Sequence, residues 1–100
     1  MADNSDSNRY ARQIQFASLG RSGHEQIARS RVAILGCGAL GTVAAEVLAR
    51  SGVGSLRLID RDVVEWTNLQ RQALYVEQDA VEGRAKAGTA CERLTAINST

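Results

Sequence analysis

The hydrophobic and polar positions along the chain mark out a short series of elements. Val32, Ala33, Ile34 and Leu35 form an apolar run that closes on Gly36, the pattern of a buried parallel strand. Between Ala39 and Arg50, the residues Leu40, Val43, Ala44, Val47 and Leu48 recur at helical spacing, which predicts a helix with that face inward. Gly52 and Gly54 stop it. Leu56, Leu58 and Ile59 predict a second strand that ends at Asp60. Residues 32–60 therefore read as strand, helix, strand, with a right-handed crossover expected.

The flanks are less regular. Asn8 to Phe16 fits either a short helix or an extended segment, and Gly20 and Gly23 punctuate the chain after it. His24 to Ser30 predicts a short helix with Ser22 as its cap. Asp62 to Asp79 is irregular, with a polar centre at Thr67 to Gln72. A last helix is predicted from about Arg84 to Ile97, with Ala87, Ala90, Leu94 and Ile97 on one face and Gly88 weakening it slightly. The chain stops at Thr100, where another strand would normally begin. The fold class is α/β.

Composition narrows the function. The 100 residues are 44% apolar and 23% charged with a formal net charge of +1, which suits a soluble globular domain and gives no pull toward nucleic acid or an anionic membrane. No run of 18 apolar residues could span a bilayer. Met1 to Asn8 is polar and lacks the basic start and apolar stretch of a signal peptide, so it reads as a disordered cytoplasmic N-terminus. Cys37 and Cys91 form no CxxC pair and read as small reduced fillers. With His24 as the one histidine, a metal site built from this chain alone is not expected.

Gly36-Cys37-Gly38-Ala39-Leu40-Gly41 follows a strand and opens a helix, the context that a nucleotide-binding glycine turn requires. Gly36 permits the tight turn, Gly38 lets the backbone approach a phosphate or ribose, and Gly41 lets the helix pack against the strand. The helix N-terminus offers free N–H groups and partial positive charge to an anion. Asp60, ending the second strand, can accept hydrogen bonds from ribose hydroxyls. The turn taken alone favours NAD or FAD over ATP.

The polar segment after the second strand shifts that balance. A plain dehydrogenase has no need for an arginine-bearing loop there, whereas a site that cleaves ATP between its α- and β-phosphates needs cations for the departing pyrophosphate. Arg71 offers a planar fork for phosphate oxygens, Asn68 a hydrogen-bonding amide, and Lys86 a compact charge at the start of the last helix. Trp66 reads as a packing anchor, Asp62 as a turn residue, and Tyr10 and Tyr75 as structural.

Arg9-Tyr10-Ala11-Arg12-Gln13, the GxGxxG turn, the run Asp60-Arg61-Asp62-Val63-Val64-Glu65-Trp66-Thr67-Asn68-Leu69-Gln70-Arg71-Gln72 and a lysine opening the next helix occur here in an order that resembles the ThiF/MoeB/HesA family, whose core ubiquitin-activating enzymes share. The wording of the Asp60–Trp66 stretch looks closest to the ThiF branch. The resemblance implies a Rossmann-like ThiF-type fold. It implies that Asp60 holds the ribose of ATP and that Gly38 and its neighbours Gly36 and Gly41 contact the nucleotide. It also implies that Thr67, Asn68, Arg71 and Lys86 lie at the phosphates, and that Arg12 reaches the triphosphate from the other subunit of a homodimer. Gln72 would be a support for the loop.

By the same resemblance the intact protein adenylates the C-terminal carboxylate of a ubiquitin-like sulfur carrier, similar to ThiS or MoaD, for thiamine or molybdenum-cofactor synthesis. The competing readings are an NAD- or FAD-dependent oxidoreductase and a non-catalytic nucleotide-binding module. Thr67 stands where the family usually has serine, and Ala85 where a proline usually precedes the lysine; the first keeps the hydroxyl, the second loosens the turn. The family's magnesium aspartate and zinc cysteines come later than these residues. The 100 residues thus read as a fragment truncated after the second strand–helix unit and inactive alone, with residues 9–100 forming the N-terminal part of the ATP-binding domain.

Overall fold

The computed structural model describes residues 6–99, with side chains described from Asn8 onward. In chain order the elements are α1 (Asp6–Arg9), α2 (Ala11–Gln15), α3 (Gly20–Arg29), β1 (Arg31–Leu35), α4 (Ala39–Arg50), β2 (Ser55–Ile59), a 3-10 turn (Trp66–Asn68), α5 (Glu77–Glu82) and α6 (Lys86–Ile97). Of the segment 1–8 expected to be disordered, residues 1–5 lie outside the described residues, and Asp6–Arg9 forms one helical turn.

β1 and β2 pair in parallel with Arg31 opposite Ser55 and Leu35 opposite Ile59. The amide of Gly36 extends the ladder by one bond, 2.7 Å to the carbonyl of Ile59. Val32, Ile34, Leu56 and Leu58 are half-buried, while the alternate residues are exposed, so the strands are covered on one face within the described residues. This corrects the expectation of a strand buried on both faces.

The helix of residues 39–50 is where the hydrophobic pattern predicts it, but its faces are reversed. Thr42, Ala45 and Ala49 are buried, whereas Leu40, at 87% exposure, Val43, Ala44 and Val47 are exposed. Small residues allow the helix backbone to lie close to the strands, and that closeness decides the inward face here. The core of Cys37, Ala45, Ala49, Val64, Leu74, Tyr75, Ala90 and Leu94 lies between α4, α6 and the loop after β2, with Ile34, Leu56 and Leu58 packed against it.

Three further boundaries differ from expectation. Residues 8–15 fall on α1 and α2 with a break at Tyr10, and Gly20, at a φ of +64° where α3 begins, separates α2 from α3; Gly23 and Ser22, however, lie inside α3, so the first does not punctuate the chain and the second does not cap the helix. The stretch 62–79 is not wholly irregular. Its end belongs to α5, where the carboxylate of Asp79 accepts from the amide of Val76 at 2.8 Å and Gly83 closes the helix at a φ of 61°. The last helix starts at Lys86; Arg84 lies outside it and pairs with Asp79 and Glu92. Asp79 is buried and also holds Arg93 at 2.6 Å, so this cluster ties α5 to α6.

A candidate nucleotide site at the C-terminal ends of the strands

The glycine turn is held from three sides. Gly36 takes a φ of +100°, open to glycine and strained for other residues. A Cβ on Gly41 would lie 1.8 Å from the carbonyl oxygen of Gly36, so only glycine lets α4 start this close to the turn. A Cβ on Gly38 would meet only the Gln72 side chain, at 3.8 Å, which leaves its backbone open. The amide of Cys37 donates to one oxygen of Asp60 at 2.7 Å, and the amide of Asp62 donates to the other at 2.7 Å. Tyr75 donates from its hydroxyl to the carbonyl of Cys37 at 2.7 Å.

These contacts set the charges. Burial opposes ionisation of Asp60, but the two amides and the nearby charges of Lys86 and Arg61 outweigh it and hold the carboxyl below its ordinary range. Burial, helped by Asp60 and against Lys86, pushes the Cys37 thiol up, so this cysteine is an unreactive filler in the turn. Cys91, in contrast, is exposed on α6.

The residues singled out in the sequence do not all meet. A cleft of about 310 Å³ at the strand ends is lined by Leu35, Gly36, Ile59, Asp60, Arg61 and Asp62. A second, of about 400 Å³, shares Arg61 and Asp62 and adds Val63, Glu65, Asn68 and Lys86. Asn68 is placed by its own loop: its Oδ1 accepts from the amide of Glu65 at 2.8 Å, leaving its Nδ2 with no partner among the described residues. Lys86 is only 7% exposed, yet its ammonium makes no hydrogen bond or ion pair among the described residues. Its backbone is fixed by donation to the carbonyl of Asp62 at 2.9 Å, which mounts α6 against the loop. Ala85 before it keeps a φ of −62°, so the turn needs no proline to hold its shape.

Arg71 and Thr67 stay outside both clefts. Arg71 is exposed and donates from Nη1 to the carbonyl of Thr67 at 2.8 Å. Arg12 lies farther off. In its segment Tyr10 and Gln13 point inward: the hydroxyl of Tyr10 accepts from Asn98 at 2.7 Å, and Gln13 donates to the carbonyl of Ser51 at 2.8 Å. That anchor is at the C-terminal end of α4, about 18 Å along the helix from the glycine turn. Arg12 itself is exposed. Arg61, an arginine whose sequence context favours neither a solvated charge nor a site role, and Asp62, read as a turn residue, line both clefts; their adjacency to the strand end was the available signal. Among the described residues no group of three His, Cys, Asp or Glu side chains could hold a metal ion.

A family-level comparison, described as the ThiF family, matches residues 10–100. The chain belongs to the ThiF family. As a ThiF-family chain it is 53% identical over 91 residues to the sulfur carrier protein ThiS adenylyltransferase of Bacillus subtilis, covering 91% of this chain and 27% of that protein. It is 45% identical over 100 residues to the molybdopterin-synthase adenylyltransferase of Escherichia coli, covering 98% of this chain and 39% of that protein. The crystal structure of E. coli MccB with ATP superposes with a TM-score of 0.83 at 38% identity, over 92% of this chain and 28% of that one. The chain thus spans between a quarter and two-fifths of the length of these relatives, and the α/β fold read from its strand–helix–strand unit is the fold that they share.

Proposed function

We propose that the protein adenylates the C-terminal carboxylate of a small ubiquitin-like sulfur carrier, with ATP as the nucleotide substrate. The observation that carries this reading is Lys86: a residue only 7% exposed whose ammonium makes no hydrogen bond or salt bridge among the described residues and opens onto a cleft beside Asn68, within the field of Asp60. A cation on a largely buried side chain that forms no salt bridge is stabilised by an anion entering the cleft it opens onto, and a triphosphate is such an anion.

In this reading Asp60, ionised and held by two amides, accepts from the ribose, and the open backbone at Gly38 and the N-terminus of α4 face the α-phosphate. Asn68 and Lys86 contact the phosphates from the cleft. Arg71, one hydrogen bond away from freedom, leaves the Thr67 carbonyl to grip the β- and γ-phosphates. Arg12, exposed on a segment that Gln13 ties to the far end of α4, serves the site of a neighbouring subunit. A carboxylate oxygen of the carrier attacks the α-phosphorus in line. A new O–P bond forms as the bond to the bridging oxygen breaks, and pyrophosphate leaves with its charge met by Lys86 and the arginines. Magnesium would add to that charge; its ligand, and any zinc, are proposed on segments beyond these residues. An oxidoreductase would bind through the same glycine turn but gives Lys86, Asn68 and Arg71 no task.

The identity with the B. subtilis ThiS adenylyltransferase supports a ThiS-like carrier and the thiamine branch; the cytoplasm is the location proposed with it. ATP–pyrophosphate exchange by the full-length protein tests the reading. Exchange that requires the carrier and stops when its C-terminal carboxylate is amidated supports it. Binding of NAD or FAD in preference to ATP, with no exchange, overturns it.

A further inference from the structure

Gln72 sits against the glycine turn with its hydrogen-bonding capacity unused. The residue is 4% exposed, and its amide oxygen is buried without a partner. Its Nε2 also makes no hydrogen bond among the described residues and lies 3.8 Å from the point where a Gly38 side chain would begin. Its backbone is pinned, because its amide donates to the carbonyl of Asn68 at 2.9 Å. The next residue is pinned as well: the amide of Ala73 donates to the hydroxyl of Thr42 at 3.2 Å, and that hydroxyl donates to the carbonyl of Gly38 at 2.6 Å. Loop and helix start are thus one rigid unit, with a carboxamide built into the seam.

A loop support would be expected to bond what it supports, and this amide bonds nothing. Of the two amide atoms only Oε1 is fully buried; Nε2 remains accessible to a partner on the Gly38 side. Nε2 is a donor only. It lies beside Gly38, at the start of the twelve-residue helix α4, where the free N–H groups and the dipole favour an anion. On the ribose side Asp60 already provides the acceptor. The chemistry that matches Nε2 is therefore an acceptor-only group on the phosphate side.

We infer that Gln72 is a nucleotide-orienting residue whose side-chain amide donates to an α-phosphate oxygen held over Gly38. This rests on the nucleotide reading above and adds to it a residue acting on the phosphoryl group that reacts. By fixing one non-bridging oxygen, Gln72 turns the α-phosphorus so that its pyrophosphate bond points away from the entering carboxylate.

The test is a nucleotide series on the full-length protein. ATP, AMP and adenosine are titrated into wild type and Gln72→Met, a change that keeps the side-chain length and removes the amide. ATP and AMP both carry the α-phosphate, so both should weaken by about ten- to a hundredfold, the range for a charge-assisted hydrogen bond, while adenosine is unchanged. Unchanged ATP and AMP affinity, or an equal loss that includes adenosine, overturns the inference and leaves Gln72 a loop support. Should Gln72→Met fail to fold, Gln72→Asn withdraws the amide by one methylene and must show the same phosphate-selective loss. Failure of wild type to bind ATP would sink the adenylation reading itself, a result distinct from a wild type that binds ATP and a Gln72 variant that binds it equally well.

Discussion

The hydroxyl of Tyr75 donates a 2.7 Å hydrogen bond to the carbonyl of Cys37, joining the loop after β2 to the middle of the glycine turn. A second, longer contact of 3.5 Å reaches the carbonyl of Lys86. One buried phenol therefore links the nucleotide turn and the start of α6. Tyr75→Phe leaves the Cys37 carbonyl buried and unpaired and should cost about 1–3 kcal/mol of stability, read from urea denaturation.

The same phenol gives a pH dependence. Burial, reinforced by Cys37, Asp60 and Asp79, raises its ionisation well above the ordinary tyrosine value. A group raised on folding favours the native state below its unfolded value and withdraws that support above it. Wild type should therefore lose stability as the pH rises past about 10. Tyr75→Phe should lose less over the same interval, and parallel losses in both would contradict the assignment.

Ala85→Pro should stabilise the fold. Ala85 already has a φ of −62°, and its amide donates to no backbone group among the described residues. The turn around it is fixed by Val64 donating to the carbonyl of Arg84 at 2.8 Å and by Lys86 donating to that of Asp62. Proline would remove freedom from the unfolded chain and add about 0.4–1 kcal/mol, seen as a higher melting temperature. A lower one would mean that the ring strikes its surroundings.

How far the sequence could be read depended on the kind of signal. The strand–helix–strand unit was legible because apolar spacing and glycine stops agree over residues 32–60. The inward face of α4 was not, because spacing rewards large residues. Packing chose the small side chains of Thr42, Ala45 and Ala49 and left Leu40, Val43 and Val47 outside. Helix α5 has too few apolar residues to show a period. In the site, residue type and order pointed to Asp60, Asn68 and Lys86, which line the clefts. The contact between Gln72 and Gly38 spans 34 positions and depends on the folded loop, so no local pattern could reveal it.

Arg71→Ala in the full-length protein should weaken ATP far more than AMP. Its guanidinium is exposed and tethered only to the Thr67 carbonyl, free to turn onto the β- and γ-phosphates that AMP lacks. A charge-assisted bond of that kind is worth about 1.5–3 kcal/mol. Equal losses for both nucleotides, measured by titration, would place Arg71 elsewhere.

Arg12 is expected to act across a subunit boundary. The neighbouring Gln13 ties its segment to the Ser51 carbonyl, at the wrong end of α4 to serve the site of its own chain. Arg12→Ala and Arg71→Ala proteins, each impaired alone, are unfolded, mixed in equal amounts and refolded. About half of the dimers are then hybrids with one repaired site each, so roughly a quarter of wild-type activity should return. No recovery despite proven subunit exchange would confine Arg12 to its own chain.

The central claim is that a carrier carboxylate attacks the α-phosphorus of ATP, and the fate of that phosphorus decides it. The full-length protein is given ATP labelled at the α-phosphate and a ThiS-like carrier with a free C-terminus. Label should appear on the carrier as its acyl-adenylate, with one pyrophosphate released for each. Label left in ADP, with the γ-phosphate transferred or hydrolysed and none on the carrier, would contradict it.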